Sequence, residues 1–362
     1  MSSVDVVVPC YNYARYLEQC VSSILDQDGV DVRVLIIDDA SSDRSAEVGA
    51  GLAARDPRVT FRRHERNWGH IKTFNEGVIG WATAKYTLLI SADDALAPGA
   101  LARAAKIMDE HDDVGMTYGM AQVIVDDRDL PTAEAVKDFD FRIIPGQRYL
   151  QFSCEHGNGV PTPTAVIRTE LQHRVGGYNP KMLHTSDMEM WMRLAARASI
   201  GVIRAVQGYY RWHGNNMTLG YVRGMHGDRR QRIFTCNEVL QTWGAEVDGI
   251  ADWVAAMRQR YVGDACWYAG LAMERGDVEG ERACLEFAKE LQPALWRSPG
   301  WWRYLAKRCL GPRLSRSLRA AIGRPDDPAG TAGADPRASL PPEQQIWVSY
   351  QHGQGIGWWP HD

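Results

Sequence analysis

Long apolar runs are missing from this sequence: nowhere do about 18 apolar residues follow one another, so no membrane-spanning helix is expected. An excess of positive charge is missing too. The 41 Lys and Arg stand against 45 Asp and Glu, and the net charge of −4 leaves no global field for a nucleic-acid backbone; no nucleic-acid partner is expected. Only seven cysteines occur, scattered and without a C-x-x-C pair. That excludes a disulfide framework or a zinc cage and suits thiols kept reduced, as in the cytoplasm. The N-terminus lacks a basic region and Asp5 interrupts its apolar run, so no signal peptide is expected. Without G-x-x-x-x-G-K-[ST] a P-loop is excluded, and without G-x-S-x-G a nucleophile elbow. What remains is ordinary globular usage, 45% apolar and 24% charged, in 362 residues. That length exceeds one domain of about 150 residues, so a large domain with an appendage is expected.

Strand and helix signals alternate through residue 125. Val4, Val6, Val7 and Val8 form a β-branched run closed by Pro9, which suits a strand buried on both faces. Leu17, Val21, Ile24 and Leu25 then fall on one helical face within 13–27. The same reading predicts strands over 32–37, 59–63 and 86–90 and helices over 45–55, 71–83 and 99–110, with Pro98 opening the last as an N1 proline. Strands separated by helices of about 12 residues make right-handed βαβ units. Gly49-Ala50-Gly51 imitates a dinucleotide fingerprint but lies inside a predicted helix, where it serves packing. Farther on come an irregular strand over 115–126, a polar loop to Pro145, a strand over 165–168, a Gly176-Gly177 turn and a helix over 186–198.

The fold class so read is α/β, a mainly parallel Rossmann-like sheet flanked by helices, with a C-terminal helical appendage. The expected boundaries are 1–225 for the sheet domain, 226–322 for the appendage and 323–362 for a flexible tail. Residues 267–293 resemble one tetratricopeptide-type hairpin; such units need about three copies to bury a core, so a helical pair is expected, not a peptide-binding array. Between 291 and 324 lie eight Lys/Arg and no acid, together with Trp296, Trp301 and Trp302. A basic segment with aromatic anchors suits an anionic lipid surface, at about 1 kcal/mol per basic residue, and a solvated helical face explains it equally. Peripheral membrane contact through 296–324 is one expectation. Trp347, Tyr350, Trp358 and Trp359 gather near the end without a physical account.

In an open parallel sheet, ligands bind at the carboxyl ends of the strands. Three such ends are polar here: Pro9-Cys10-Tyr11-Asn12, Asp38 to Asp43, and Ser91-Ala92-Asp93-Asp94. Carboxylates crowded on one rim repel and call for a cation, and Mg²⁺ or Mn²⁺ takes one or two protein carboxylates plus ligand phosphates. Tyr11 offers a stacking face and Asp39 an acceptor, a combination suited to a base and ribose on a diphosphate. The competing reading makes Asp38 to Asp43 an Asx turn and Asp93-Asp94 a helix cap.

With these strand ends, Val6-Val7-Val8-Pro9-Cys10-Tyr11-Asn12, Ile36-Ile37-Asp38-Asp39-Ala40-Ser41-Ser42-Asp43 and Ile90-Ser91-Ala92-Asp93-Asp94, the chain resembles the family-two glycosyltransferases of GT-A fold. Ser186-Asp187-Met188-Glu189-Met190-Trp191 and Tyr210-Arg211-Trp212-His213 agree, and the resemblance spans about residues 4–220. It implies a metal-dependent inverting transfer from a nucleotide-diphosphate sugar, UDP- or dTDP-linked, to a hydroxyl of a glycan or lipid-linked acceptor. Such an enzyme would build bacterial-type surface glycans from the cytoplasm or the inner face of the membrane. By the resemblance, Pro9, Tyr11 and Asp39 surround the base, Asp93 faces the ribose, and Asp94 binds the metal, Mn²⁺ or Mg²⁺. His213 reaches the metal or diphosphate, Asp187 is the base, and Trp191 lies on the acceptor side. Ser91 stands where many relatives have the first acid of a D-x-D signature, and Ser186 where many have Glu. Glu189 or Glu155 are alternative bases, and Asp187 an alternative N-cap. His64, His70 and Lys72 are read as surface residues, with contact to donor phosphates the alternative. A sugar-nucleotide nucleotidyltransferase or a non-catalytic scaffold stays open at this point.

Overall fold

A computed structural model describes residues 1–125, 130–131, 136, 138–213, 216, 227–243, 245–321 and 355–357. The chain divides into two compact units, Met1–Gly220 with Trp347–Asp362, and Tyr221–Ile346.

The first unit contains β1 (Ser2–Cys10), β2 (Val30–Asp38), β3 (Val59–Arg63), β4 (Tyr86–Leu89), β5 (Ala95–Leu96), β6 (Val114–Val125), β7 (Phe141–Ile144), β8 (Val166–Arg168), β9 (Ser199–Trp212) and β10 (Gly355–Ile356). Its helices are α1 (Ala14–Leu25), α2 (Ser45–Arg55), α3 (His70–Val78), α4 (Ala100–Glu110), α5 (Gly146–His156), α6 (Thr169–Val175) and α7 (Ser186–Ala195). One sheet runs β3-β2-β1-β4-β8-β6-β9-β5, with β7 on β9 and β10 on β6. The strands β3-β2-β1-β4 are parallel because a helix carries the chain back between successive strands. Beyond β4 the sheet is mixed: β8 is antiparallel to both β4 and β6, while β6 and β9 are parallel.

β1 fits its place because Val4, Val6, Val7 and Val8 are all fully buried, with both faces covered. Asp5 is buried among them and stays tolerable because four donors meet its carboxylate. Arg33 donates from Nε and Nη2 at 2.8 and 2.7 Å, and the Thr83 and Ala84 N–H groups at 2.7 and 2.8 Å. That capture of Thr83 and Ala84 also explains why α3 stops at Val78, short of the predicted 83. Gly77 lets α3 lie against β1, since a Cβ there would stand 2.2 Å from Val7 Cγ1. Gly49 in α2 serves the same purpose against Phe61, as the sequence implies. α4 starts at Ala100 behind Gly99, which is left-handed at φ 72°, so Pro98 precedes the cap and is not its N1 residue. The strands β5, β7 and β9 carry no clear signal in the sequence. Within the expected tail, Gly355–Ile356 pairs with β6, a correction allowed by Gly357 at φ 136° beside the Gly119 carbonyl. The remainder of 323–362, with Trp347, Tyr350, Trp358 and Trp359, lies outside the described residues.

The second unit consists of α8 (Gly227–Trp243), α9 (Ile250–Arg275), α10 (Val278–Leu291) and α11 (Pro299–Ala321). Gly276, left-handed at φ 79°, ends α9, and Asp277 opens α10 by accepting from the Gly280 N–H at 2.8 Å. This is the turn of a helical pair. α11 packs on α9 and is kinked at Gly311. Two of its basic residues are engaged inside the unit: Lys307 Nζ is 3.2 Å from buried Glu274, and Arg308 pairs with Glu281. Trp296 and Trp302 are exposed. No helix of the described residues is long and apolar enough to cross a membrane.

Candidate active site

The ends of β1, β2 and β4 lie side by side. The Asp39 N–H donates to Cys10 O at 2.9 Å and the Ala92 N–H to Pro9 O at 3.3 Å. Tyr11 follows with 48% of its surface exposed, and Pro9 is half-buried. Asn12 and Ala40 next to them are left-handed, both at φ 59°, a conformation that costs a non-glycine residue about 1–2 kcal/mol. Their loops are laced together: Asn12 Oδ1 accepts from the Ser42 N–H at 2.8 Å, and the Asn12 N–H donates to Ser41 Oγ at 2.9 Å. Asp38 and Asp43 fold this loop, as the Asx-turn reading expects, by accepting from the Ser41 and Ser45 N–H groups. Burial pushes the Cys10 thiol up to about 12, so it carries no thiolate chemistry near neutral pH.

Asp39 is different. It is 4% exposed and folds the next loop instead of its own: Oδ1 accepts from the Trp68 N–H at 2.7 Å and Oδ2 from the Gly69 N–H at 2.9 Å. His64 Nδ1 lies 2.7 Å from the same Oδ1, and its Nε2 lies 2.8 Å from Glu76 Oε2. This overturns the surface reading of His64, whose ring is buried and stacks on Trp68 at 4.1 Å. Lys72 Nζ stands 4.0 Å from the Trp68 ring centroid, and His70 Nε2–H donates to Leu183 O at 3.0 Å.

Asp93 and Asp94 occupy the turn between β4 and β5, so they do not cap α4. Arg211 on β9 holds both: its N–H donates to Asp94 Oδ1 at 2.9 Å and its Nε–H to the Asp93 carbonyl at 2.8 Å. The side chain of Arg211 is buried over the Tyr16 ring. His213 is 3% exposed, packs against Tyr13 and Tyr16, and brings Nε2 to 3.0 Å from Asp93 Oδ2. Burial and the neighbouring Asp93 charge hold the Asp94 carboxyl well above the usual range. Asp93 Oδ1 is buried without a hydrogen-bond partner among the described residues. Sequence reasoning missed Arg211, Tyr13 and Tyr16; the signal lay in the quoted Tyr210-Arg211-Trp212-His213 run and in the tyrosines at i and i+3 after β1.

Asp187 is in the first turn of α7 and is not its cap, which is Thr185. Its Oδ2 accepts from Asn158 Nδ2 at 2.7 Å and Thr162 Oγ1 at 3.2 Å, and its Oδ1 from the Met188 N–H at 2.7 Å. Burial raises its carboxyl above the ordinary value despite those donors. Glu189 is locked elsewhere, with Oε1 at 2.7 Å from Arg193 Nε, while Glu155 bonds Gln151 on α5. Trp191 is fully buried and meets Tyr178 edge-on at 6.4 Å, so it packs α7.

The sheet brings these acids to one rim. β8 runs antiparallel to β4 with Val166 opposite Leu88, so Thr162, just before β8, stands at the carboxyl end of β4. Asp187 bonds Thr162 there, and the His70–Leu183 contact ties the segment before α7 to the loop that Asp39 organises. No group of three or more His, Cys, Asp or Glu among the described residues is arranged to hold a metal by itself.

Residues 5–173 match the family model described as glycosyl transferase family 2. An uncharacterized glycosyltransferase of Nostoc sp. is 27% identical over 226 residues, 59% of this chain and 66% of that protein. The chain thus spans just under two thirds of the length of this curated relative. Among solved structures, S. aureus TarS 1–349 in complex with UDP-GlcNAc superposes with a TM-score of 0.61 at 18% identity, covering 88% of this chain and 92% of that one. The mannosyltransferase PcManGT from Pyrobaculum calidifontis, in complex with GDP-Man and Mn²⁺, superposes at 0.55 with 16% identity, covering 95% and 82%. The strand-end motifs and the mixed GT-A sheet agree with the family match: over residues 5–173 the chain is similar to the family-two glycosyltransferases.

Proposed function

We propose that the first unit transfers a sugar from a nucleotide-diphosphate sugar to a hydroxyl acceptor, with inversion at the anomeric carbon. The observation that carries this is the Asp93-Asp94 pair, where a buried Asp93 oxygen with no partner among the described residues lies beside a carboxyl whose charge is disfavoured. Such a pair suits a cation, and the residues present fit one. A divalent ion, Mn²⁺ or Mg²⁺, would be held by Asp94 with Asp93 and His213 beside it, and would supply charge neutralisation for the departing diphosphate. Substrate phosphates would complete such a shell beside the few ligands that the described residues offer. The GDP-Man and Mn²⁺ in complex with PcManGT support this reading.

The chain's own groups divide the remaining work. Tyr11 offers its exposed ring to the base, with Pro9 beside it. Asp39 Oδ2 has a second lone pair for a ring N–H. Asp93 faces the ribose. Asp187 takes the proton from the acceptor hydroxyl, while Asn158 and Thr162 aim its carboxylate. One base on the acceptor side suffices for inversion, and Trp191 fixes the helix that carries it. The acceptor we propose is a glycan or lipid-linked saccharide of the cell surface, met at the cytoplasmic face. Exposed Trp296 and Trp302, with Arg297 and Arg303, are the part of 296–324 suited to an anionic membrane surface.

Calorimetric titration with UDP and GDP tests the reading. At least one is expected to bind, more tightly with Mn²⁺ than without, and absence of binding by both would remove it.

A further inference from the structure

We propose that His64, as an imidazolium, is a positioning residue for the nucleotide site, bridging Asp39 to Glu76 and thereby holding the loop that Asp39 organises. This rests on the reading of Asp39 as a neighbour of the base.

Both ring nitrogens face carboxylate oxygens, Nδ1 at 2.7 Å from Asp39 and Nε2 at 2.8 Å from Glu76. A neutral imidazole has one N–H and one lone pair, so it can donate to only one of them; the protonated ring donates to both. Asp39 in turn accepts the Trp68 and Gly69 N–H groups at the entrance to α3, and the His64 ring stacks on Trp68. Loss of the His64 proton would set a nitrogen lone pair against a carboxylate and loosen the group that fixes this loop.

The two facing carboxylates favour the cationic form, and the cations nearby oppose it. Glu76 also meets Arg62 Nη1 at 3.2 Å, Lys72 lies on the Trp68 ring, and Arg63 Nε is 3.2 Å from Asp38 Oδ2 on the adjoining strand end. His70 is held below its ordinary value by burial, which leaves His64 the histidine poised to be charged here. Burial pulls His64 down as well, yet the bonds to Asp39 and Glu76 outweigh it and the net direction is up. The folded protein therefore binds this proton more tightly than the unfolded chain does. The bridge's stabilisation is complete below about pH 6.5 and is lost as pH rises through the raised value.

The test measures the Kd of UDP and GDP with Mn²⁺ between about pH 5.5 and 8.5 for wild type, His64→Gln and Glu76→Gln, alongside an NMR titration of the His64 ring. Comparing variants at each pH cancels the nucleotide's own titration. Relative to His64→Gln, wild-type affinity is expected to fall at least threefold as His64 deprotonates. Glu76→Gln, which removes one carboxylate from the ring, is expected to move that fall to lower pH. Parallel profiles for wild type and His64→Gln, or a His64 ring that is neutral throughout, would overturn the inference and leave the nucleotide reading standing. Failure of wild type to bind either nucleotide at any pH would remove both.

Discussion

Replacing Asp187 by asparagine is expected to lower the turnover number about a thousandfold while nucleotide affinity stays within about twofold. A positioned general base contributes about 10²–10⁴ in rate, and an amide of the same shape has no basic oxygen with which to accept the acceptor's proton. Asn158 Nδ2 and the Met188 N–H both point at Asp187, so the amide must oppose one of these donors with its own NH₂. Asn158 is itself anchored through Oδ1 to the Val160 N–H at 3.0 Å, which resists a flip. A loss of about 1–3 kcal/mol in stability is therefore expected, visible as a lower Tm, with nucleotide titration showing that the folded site survives. Burial also holds the Asp187 carboxyl above its usual value, so wild-type kcat should decline with acid at a pH above the ordinary aspartate range near 3.9. Unchanged turnover in Asp187→Asn would remove the base assignment.

The second large effect is expected at Asp94. Losing an outer-shell partner alone costs a metal site about 10–100-fold in affinity, and losing a ligand costs at least that. Asp94→Asn should therefore abolish most of the gain in nucleotide affinity that Mn²⁺ provides, read by calorimetry with and without the ion. Asparagine Oδ1 can still accept the Arg211 N–H, so the turn between β4 and β5 keeps its anchor. The substitution also removes a buried charge beside Asp93, so the metal-free variant is expected to melt at or above the wild-type Tm. In the wild type, the same raised carboxyl means that the Mn²⁺ effect weakens as pH falls and Asp94 binds a proton. A variant whose Mn²⁺ response is unchanged would show that the cation is held elsewhere.

Much of this architecture can be read from residue order alone where local pattern and tertiary role agree. The valines of β1 and the one-sided apolar face of α1 are such cases, and the expected ends of α2 and β3 coincide with the observed ones. β9 is not legible. Its 14 residues carry Gly201 and Gly208, change register against β6, and pair with β7 over one half and β5 over the other, so neither a period of two nor a continuous apolar run marks it. β7 hides in a polar loop because only Ile144 of its four residues is buried. The rim acids are legible because successive strand ends run into aspartates. Their supports are harder to read: Arg211 stands in the Tyr210-Arg211-Trp212-His213 run but on a strand that no hydrophobic period marks, and His64 in a polar loop looks like any solvated histidine until Asp39 and Glu76 close on it from either side.

The central claim, that acids from separate strands surround an activated sugar's diphosphate and its cation, is tested most directly by crystals grown with UDP or GDP and Mn²⁺. Anomalous scattering from manganese should give a peak in coordination contact with Asp94, with the base over Tyr11 beside Asp39 and the diphosphate on the Asp187 side of the rim. A nucleotide bound away from these residues, or manganese at a different part of the molecule, would contradict it.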